Sequence, residues 1–272
     1  MHVSRIGLTA LKGTRHTDRA SLELTPDGHV GDRVFCLVDR AHGRVLRTVE
    51  NTSLLRATVT WEHGVLTAEL PAGTASGVPV GSGRRLDVDY WGRRVALEEV
   101  VGPWTAAFTA HLGRDVVLAR SWPGRPSGQF VYGGSVSLVT SSSLDRLREE
   151  TDSPVADASF RATFTIDSSG RSPHVEDGWA GLRVRLGEAE VEVVGGLPRC
   201  ALVDRHPRDG GRSGAALGAL GRYRRAPDGI LFGVHAVVTR PARVGVGATC
   251  ELVEVASRAR AVDVAATTAG RG

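Results

Sequence analysis

Apolar and polar residues alternate, or β-branched residues cluster, at 3–9, 21–24, 33–38, 57–61, Val65–Leu70, 86–90 and 93–98, which predicts a succession of short strands. Pro26-Asp27-Gly28, His42-Gly43, His63-Gly64 and the Gly/Pro/Ser-rich stretch 72–83 separate them as turns. The first third of the chain therefore reads as a small antiparallel β unit. Trp104, Ala107, Phe108 and Leu112 then fall at helical spacing, with Pro103 ahead of them and Gly113 behind, predicting a helix over 103–112. Residues 122–134 read as a long loop. A strand over Val136–Thr140 runs into Ser141-Ser142-Ser143 and a helix to Glu150, in which Ser142 and Asp145 have capping-box spacing. A strand, a serine cluster and a helix in that order can hold an anion on the free N–H groups of the first turn.

Strands resume at 162–166, Arg183–Leu186, 190–194, 230–238 and 249–255, with Gly187-Glu188 as a hairpin turn and a helix over 215–224. Residues 257–272 are small and polar and are expected to be a disordered tail. The expected fold is mainly β with a few helices (α+β), in two parts. No stretch reaches the roughly 18 apolar residues of a membrane span. No apolar segment follows Arg5, so neither a secretory leader nor a membrane span is expected, and a cytoplasmic protein is.

Composition narrows this picture only slightly. The 272 residues, 41% hydrophobic and 24% charged, fit one large or two small globular domains. The net charge is +4, with basic residues spread along the chain, which suggests an anionic ligand rather than nucleic acid. Of the 34 basic residues 33 are arginine, and Lys12 is the sole lysine.

Three cysteines, without C-x-x-C spacing, fit neither a disulfide scaffold nor an all-cysteine metal centre. Cys36 and Cys250 sit in apolar runs and read as core residues. Cys200 differs. In Gly195-Gly196-Leu197-Pro198-Arg199-Cys200 a strand ends in two glycines, and a proline-fixed turn presents an Arg–Cys pair. A neighbouring guanidinium favours the thiolate, the form that attacks electrophiles and binds metals.

The order Gly31-Asp32-Arg33, Phe160-Arg161-Ala162-Thr163-Phe164, Glu176-Asp177-Gly178-Trp179, Pro198-Arg199-Cys200 and Phe232-Gly233-Val234-His235 resembles the MOSC family with its amino-terminal β-barrel, over about residues 1–256. That family includes the amidoxime-reducing component and the carboxy-terminal domain of molybdenum cofactor sulfurase. The resemblance implies a two-part β-barrel architecture, with an amino-terminal barrel over 1–100 and a MOSC domain over 101–256. It implies a molybdenum cofactor, with Cys200 as the thiolate ligand of the metal. Lys12, Arg33, Thr140, Ser141, Arg161, Thr163 and Arg199 fall on the family's cofactor-binding positions. His235 is a candidate proton donor.

This chain departs from the family at several points. Ala162 and Thr163 stand where relatives carry Pro and Asn, His235 stands where the amidoxime-reducing branch has Tyr, Pro198 replaces a Ser, and so does Gly13. The cofactor grip tolerates these changes better than the substrate side does. Three functions follow. One is an oxidoreductase that reduces N-oxygenated small molecules by oxygen-atom transfer, with electrons from a separate ferredoxin-type or cytochrome b5-type protein. The second is a sulfur carrier using a Cys200 persulfide supplied by a desulfurase. The third is a cofactor-binding module without turnover.

Overall fold

The structure is a computed structural model that describes residues 1–123, 135–151 and 154–253. Residues 124–134 of the expected loop and the whole expected tail over 257–272 lie outside the described residues. Strands predominate, and three α-helices accompany them: α1 (Trp104–Leu112), α2 (Ser141–Glu149) and α3 (Ala216–Tyr223).

Two large sheets organise the chain. The first is a closed five-stranded barrel of Val80–Tyr90, Arg93–Val101, Val116–Ser121, Phe35–Asp39 and Arg44–Val45, sealed by a parallel pairing of Asp89 with Arg44. The second has nine strands, with Phe164–Asp167, Val136–Thr140, Gly229–Arg240 and Ala189–Pro198 at its centre. Its first long strand is His2–Leu8, paired antiparallel with Phe164–Asp167. His2 also bridges to Thr249, just before the far edge strand Cys250–Val253, so the sheet wraps around its own core. The division at residue 100 therefore does not coincide with the sheets. The leading strand belongs to the second sheet, and α1 and Val116–Ser121 pack with the barrel.

The strand Phe35–Asp39 shows why its sequence is a continuous apolar run. Phe35 and Leu37 face one core with α1, while Cys36 and Val38 face the barrel interior. With both faces covered, alternation disappears. Cys36 and Cys250 are buried among apolar side chains, as their sequence context predicts.

Helix α1 ends at Gly113 in the left-handed conformation (φ 63°), and the two other predicted helices form within a residue or two of their expected ends. Four expectations change. The capping box at Ser142 does not form, because the helix begins two residues earlier, with Thr140 at the N-cap and no side-chain cap bond. The stretch 72–83 is not simply a turn: it contains the strand Gly73–Gly77 and the start of Val80–Tyr90. Gly195 and Gly196 lie inside the strand Ala189–Pro198 rather than ending it, at register irregularities against Gly229–Arg240. The strand Val116–Ser121 was not expected. Among the described residues no helix is long and apolar enough to cross a membrane.

Candidate functional site

The barrel and the nine-stranded sheet enclose between them a cavity of about 770 Å3. Cys200 lies at this cavity, exposed, directly after the strand Ala189–Pro198 and at the start of a short 3-10 turn, Ala201–Asp204. The neighbouring Arg199 is held rigidly. Its backbone N–H donates to the Ile230 carbonyl (2.8 Å), Nε to the Phe232 carbonyl (2.7 Å) and Nη1 to the Phe160 carbonyl (2.8 Å). Nη2 is buried with no partner. Gly233, at φ 69°, makes room for this arrangement. A Cβ there would stand 2.5 Å from the Leu138 carbonyl oxygen and 3.3 Å from Arg199 Nη2. Burial lowers Arg199 to about 10, against the opposing pull of Cys200 and Glu176.

Five more cations line the same cavity, among them Arg161, Arg33 and Lys12. Arg161, itself left-handed at φ 52°, donates from Nη1 to the Thr14 carbonyl (2.7 Å). Burial, and then the nearby Arg33 charge, push it down to about 9. Arg33 donates to Asp32 (2.6 Å), to the Arg161 carbonyl (3.3 Å) and to His16 Nε2 (3.0 Å). A guanidinium only donates, so His16 Nε2 accepts and the imidazole proton sits on Nδ1. His16 is therefore neutral, in keeping with the downward shift that its burial causes. Asp32 also takes the Thr9 N–H (2.8 Å). Lys12 donates to the Leu46 carbonyl (3.1 Å) and lies 5.1 Å from the Tyr90 ring centre; burial lowers it to about 8.

Thr163 lines the cavity through a tight exchange with Ser137. The Ser137 N–H donates to Thr163 Oγ1 and the Thr163 N–H donates to Ser137 Oγ, both at 3.1 Å. His29 Nε2 lies 3.1 Å from the same Thr163 oxygen and 3.6 Å from Asp32. His235, opposite Ser137 in the sheet register, lines the cavity half-buried, and its burial lowers its pKa.

The structure thus gathers Lys12, Arg33, Arg161, Thr163, Arg199, Cys200 and His235 around one cavity. It does not bring Thr140 and Ser141 there. The Thr140 hydroxyl is fully buried and donates to Glu176 (2.7 Å), and the Ser141 hydroxyl receives the Ser168 N–H (3.0 Å). The start of α2 is closed off by residues 168–176 instead of facing a ligand. Sequence reasoning missed His16, His29, Asp32, Ser137, Tyr90, Trp91, Arg47 and Arg93. Of these, Asp32 had a visible signal, its place beside Arg33.

The described lining carries six cationic side chains and no carboxylate, so its potential is positive. Among the described residues no three His, Cys, Asp or Glu side chains cluster as metal ligands. A metal held by Cys200 would have to bring most of its ligands with it. Residues 127–251 match the family profile of the MOSC domain. This chain carries a MOSC domain. Arg161, Arg199, Cys200 and His235 lie inside the MOSC domain, whereas Lys12 and Arg33 precede it, so the cavity is shared between the domain and the chain before it.

Two curated proteins that contain related sequence are molybdenum cofactor sulfurases. One, from Oryza sativa subsp. japonica, is 27% identical over 86% of this chain and 32% of its own length. The other, from Neosartorya fischeri, is 23% identical over 81% of this chain and 35% of its own length. The chain thus spans about a third of the curated relatives it matches. Among solved structures, the YUAD protein from Bacillus subtilis aligns over 92% of this chain and 93% of its own, with 11% identity and a TM-score of 0.44.

Proposed function

We propose that the cavity binds the molybdenum cofactor, with Cys200 as the protein's ligand to the metal, and that the chain reduces N-oxygenated small molecules. The MOSC domain and the sulfurase relatives support a function related to this cofactor. The observation that carries the finer reading is one exposed thiol at the edge of a cavity whose described lining holds six cations and no carboxylate. The donor set fits the group. A soft thiolate suits molybdenum. The unpartnered Arg199 Nη2, with Arg161, Arg33 and Lys12, offers donors for a phosphate-bearing pterin.

When bound, the cofactor supplies two-electron oxygen-atom transfer, so that R–NHOH, two electrons and two protons become R–NH2 and water. The residues have simpler tasks. Arg199 is locked by three backbone carbonyl contacts and fixes the position of Cys200. Asp32 and the neutral His16 hold Arg33 toward the cavity. His235, kept neutral by burial, can take up a proton at its ring and pass it on. Electrons come from a separate ferredoxin-type or cytochrome b5-type protein, and the expected setting is the cytoplasm.

A second reading has its own support. The relatives are named for sulfur transfer to this cofactor, and an exposed Cys200 sulfur could carry a persulfide delivered by a desulfurase. Metal analysis of protein from a molybdate-replete host separates the two. Near-stoichiometric molybdenum and pterin, lost in Cys200→Ala, is the expected result. Molybdenum-free protein with a persulfide mass shift on Cys200 would establish the second reading instead. Cofactor bound without reduction of any N-oxygenated compound would leave a binding module.

A further inference from the structure

The barrel side of the cavity holds a feature that cofactor binding does not use. Tyr90-Trp91-Gly92-Arg93 forms a two-residue hairpin turn, with Tyr90 opposite Arg93. Both central residues have positive φ, 55° at Trp91 and 77° at Gly92. Such a turn takes Asn, Asp or Gly at its first central position, and a bulky aromatic residue there is strained. The strain is not repaid by burial, because Trp91 is 55% exposed and belongs to no core cluster, whereas the adjacent Tyr90 is buried in the barrel core. The indole instead lines the cavity, with the Arg47 guanidinium 4.0 Å from its ring centre. Glu50 pairs with Arg47 at 3.2 Å and fixes its direction. A strained, exposed aromatic at a cavity mouth points to a ligand.

We propose that Trp91 and Arg47 form a substrate subsite that stacks a planar aromatic ring and pairs with a negative charge on it, so that the substrates are aromatic anions. The ring preference follows from the indole face. The charge preference follows from a described lining of six cations without a carboxylate, with Arg47, engaged by Glu50 through Nη1, the one beside the ring. This deepens the reading of the cavity as a reductase site and rests on it for the substrate, though not for the binding.

The test titrates the full chain, as purified, with 4-carboxybenzamidoxime, benzamidoxime and acetamidoxime, following tryptophan fluorescence and calorimetry. The carboxylated ring is expected to bind best and acetamidoxime worst, with quenching that disappears in Trp91→Asn. Trp91→Asn is expected to weaken binding of the carboxylated ring about tenfold while its melting temperature stays level or rises, since Asn suits the turn. Arg47→Gln is expected to erase the difference between the two ring compounds. The proposal is overturned if the parent chain binds neither ring compound, if Trp91→Asn binds them as the parent does, or if that variant melts well below the parent, which would make the indole structural. Molybdenum content is measured on the same preparation. Ring binding by molybdenum-free protein would keep the subsite and remove the cofactor reading; molybdenum-loaded protein indifferent to Trp91 would do the reverse.

Discussion

Two polar clusters lie within the nine-stranded half of the molecule and its seam with the barrel, and they behave in opposite ways. Around Arg33, Arg161 and Arg199, donors outnumber acceptors, and one guanidinium nitrogen has no partner. At the start of α2, the Thr140 and Ser143 hydroxyls both donate to the carboxyl of Glu176, at 2.7 and 2.9 Å, with their own oxygens 2.7 Å apart. Glu176 is fully buried. The first cluster is unbalanced toward open space, with donors left over. The second consumes its own hydrogen-bonding capacity in holding residues 168–176 against the helix. A serine-rich strand-to-helix junction therefore identifies a binding site only when its donors are left over.

That contrast can be broken by exchanging the expected effects. The largest is at Arg161. Arg161→Met should cut molybdenum retention by more than about tenfold, the effect of losing one charge-assisted contact of about 1.5–3 kcal/mol. The melting temperature of the cofactor-free chain should change little, because loss of the bond to Thr14 is offset by removing a buried charge. A collapse in stability with retention unchanged would invert the contrast.

Next comes Glu176. Glu176→Ala should cost about 2–4 kcal/mol in urea unfolding, by stranding two buried hydroxyls, and leave molybdenum content intact. Burial raises the Glu176 pKa above its ordinary 4.5, against the pull of Thr140 and Ser143. The stability it contributes is complete below that value and is lost as pH rises through the folded value. Glu176→Gln should remove this dependence, so the parent should lose ground to the variant as pH rises above about 4.5. Parallel pH profiles of the unfolding midpoints would contradict this.

A smaller effect concerns Lys12. Its cation is held down to about 8, so inorganic pyrophosphate should bind more weakly as pH rises through that value, and Lys12→Arg should flatten the trend in calorimetry. In the ligand-free chain the same shift makes stability rise between about 8 and the ordinary 10.5, where the unfolded chain still holds the proton. The smallest effect is Ser141→Ala, expected to cost below about 1 kcal/mol with no loss of molybdenum.

The contrast also explains what was legible from sequence alone. Alternation located most strands because one face of each meets a core. It failed for Val116–Ser121, whose first four residues are all buried, and for Gly73–Gly77, a largely exposed edge strand whose small residues look like a turn. Cys200, Arg199, Arg161, Arg33 and Lys12 could be singled out because each stands in a short motif. His29 could not, because its partner Thr163 lies 134 residues away. Thr140 and Ser141 were misplaced for the same reason: nothing local to them reveals that Glu176 and Ser168 fold back over the helix start.

The leading strand has a practical consequence. Residues 2–8 form a rib of the sheet that also contains Phe164–Asp167, and the Cys250 N–H donates to the Met1 carbonyl at 2.9 Å. A chimera that trades barrels between relatives cannot be joined at one seam. It needs two splices, one after Val30 and one after Ser121, because Thr17–Asp18 pairs with the leading strand and Ser21–Thr25 pairs with Arg243–Gly245, so the opening segment stays with the host. A single splice would leave an orphan edge where that rib belongs and set the cationic wall adrift from the thiol.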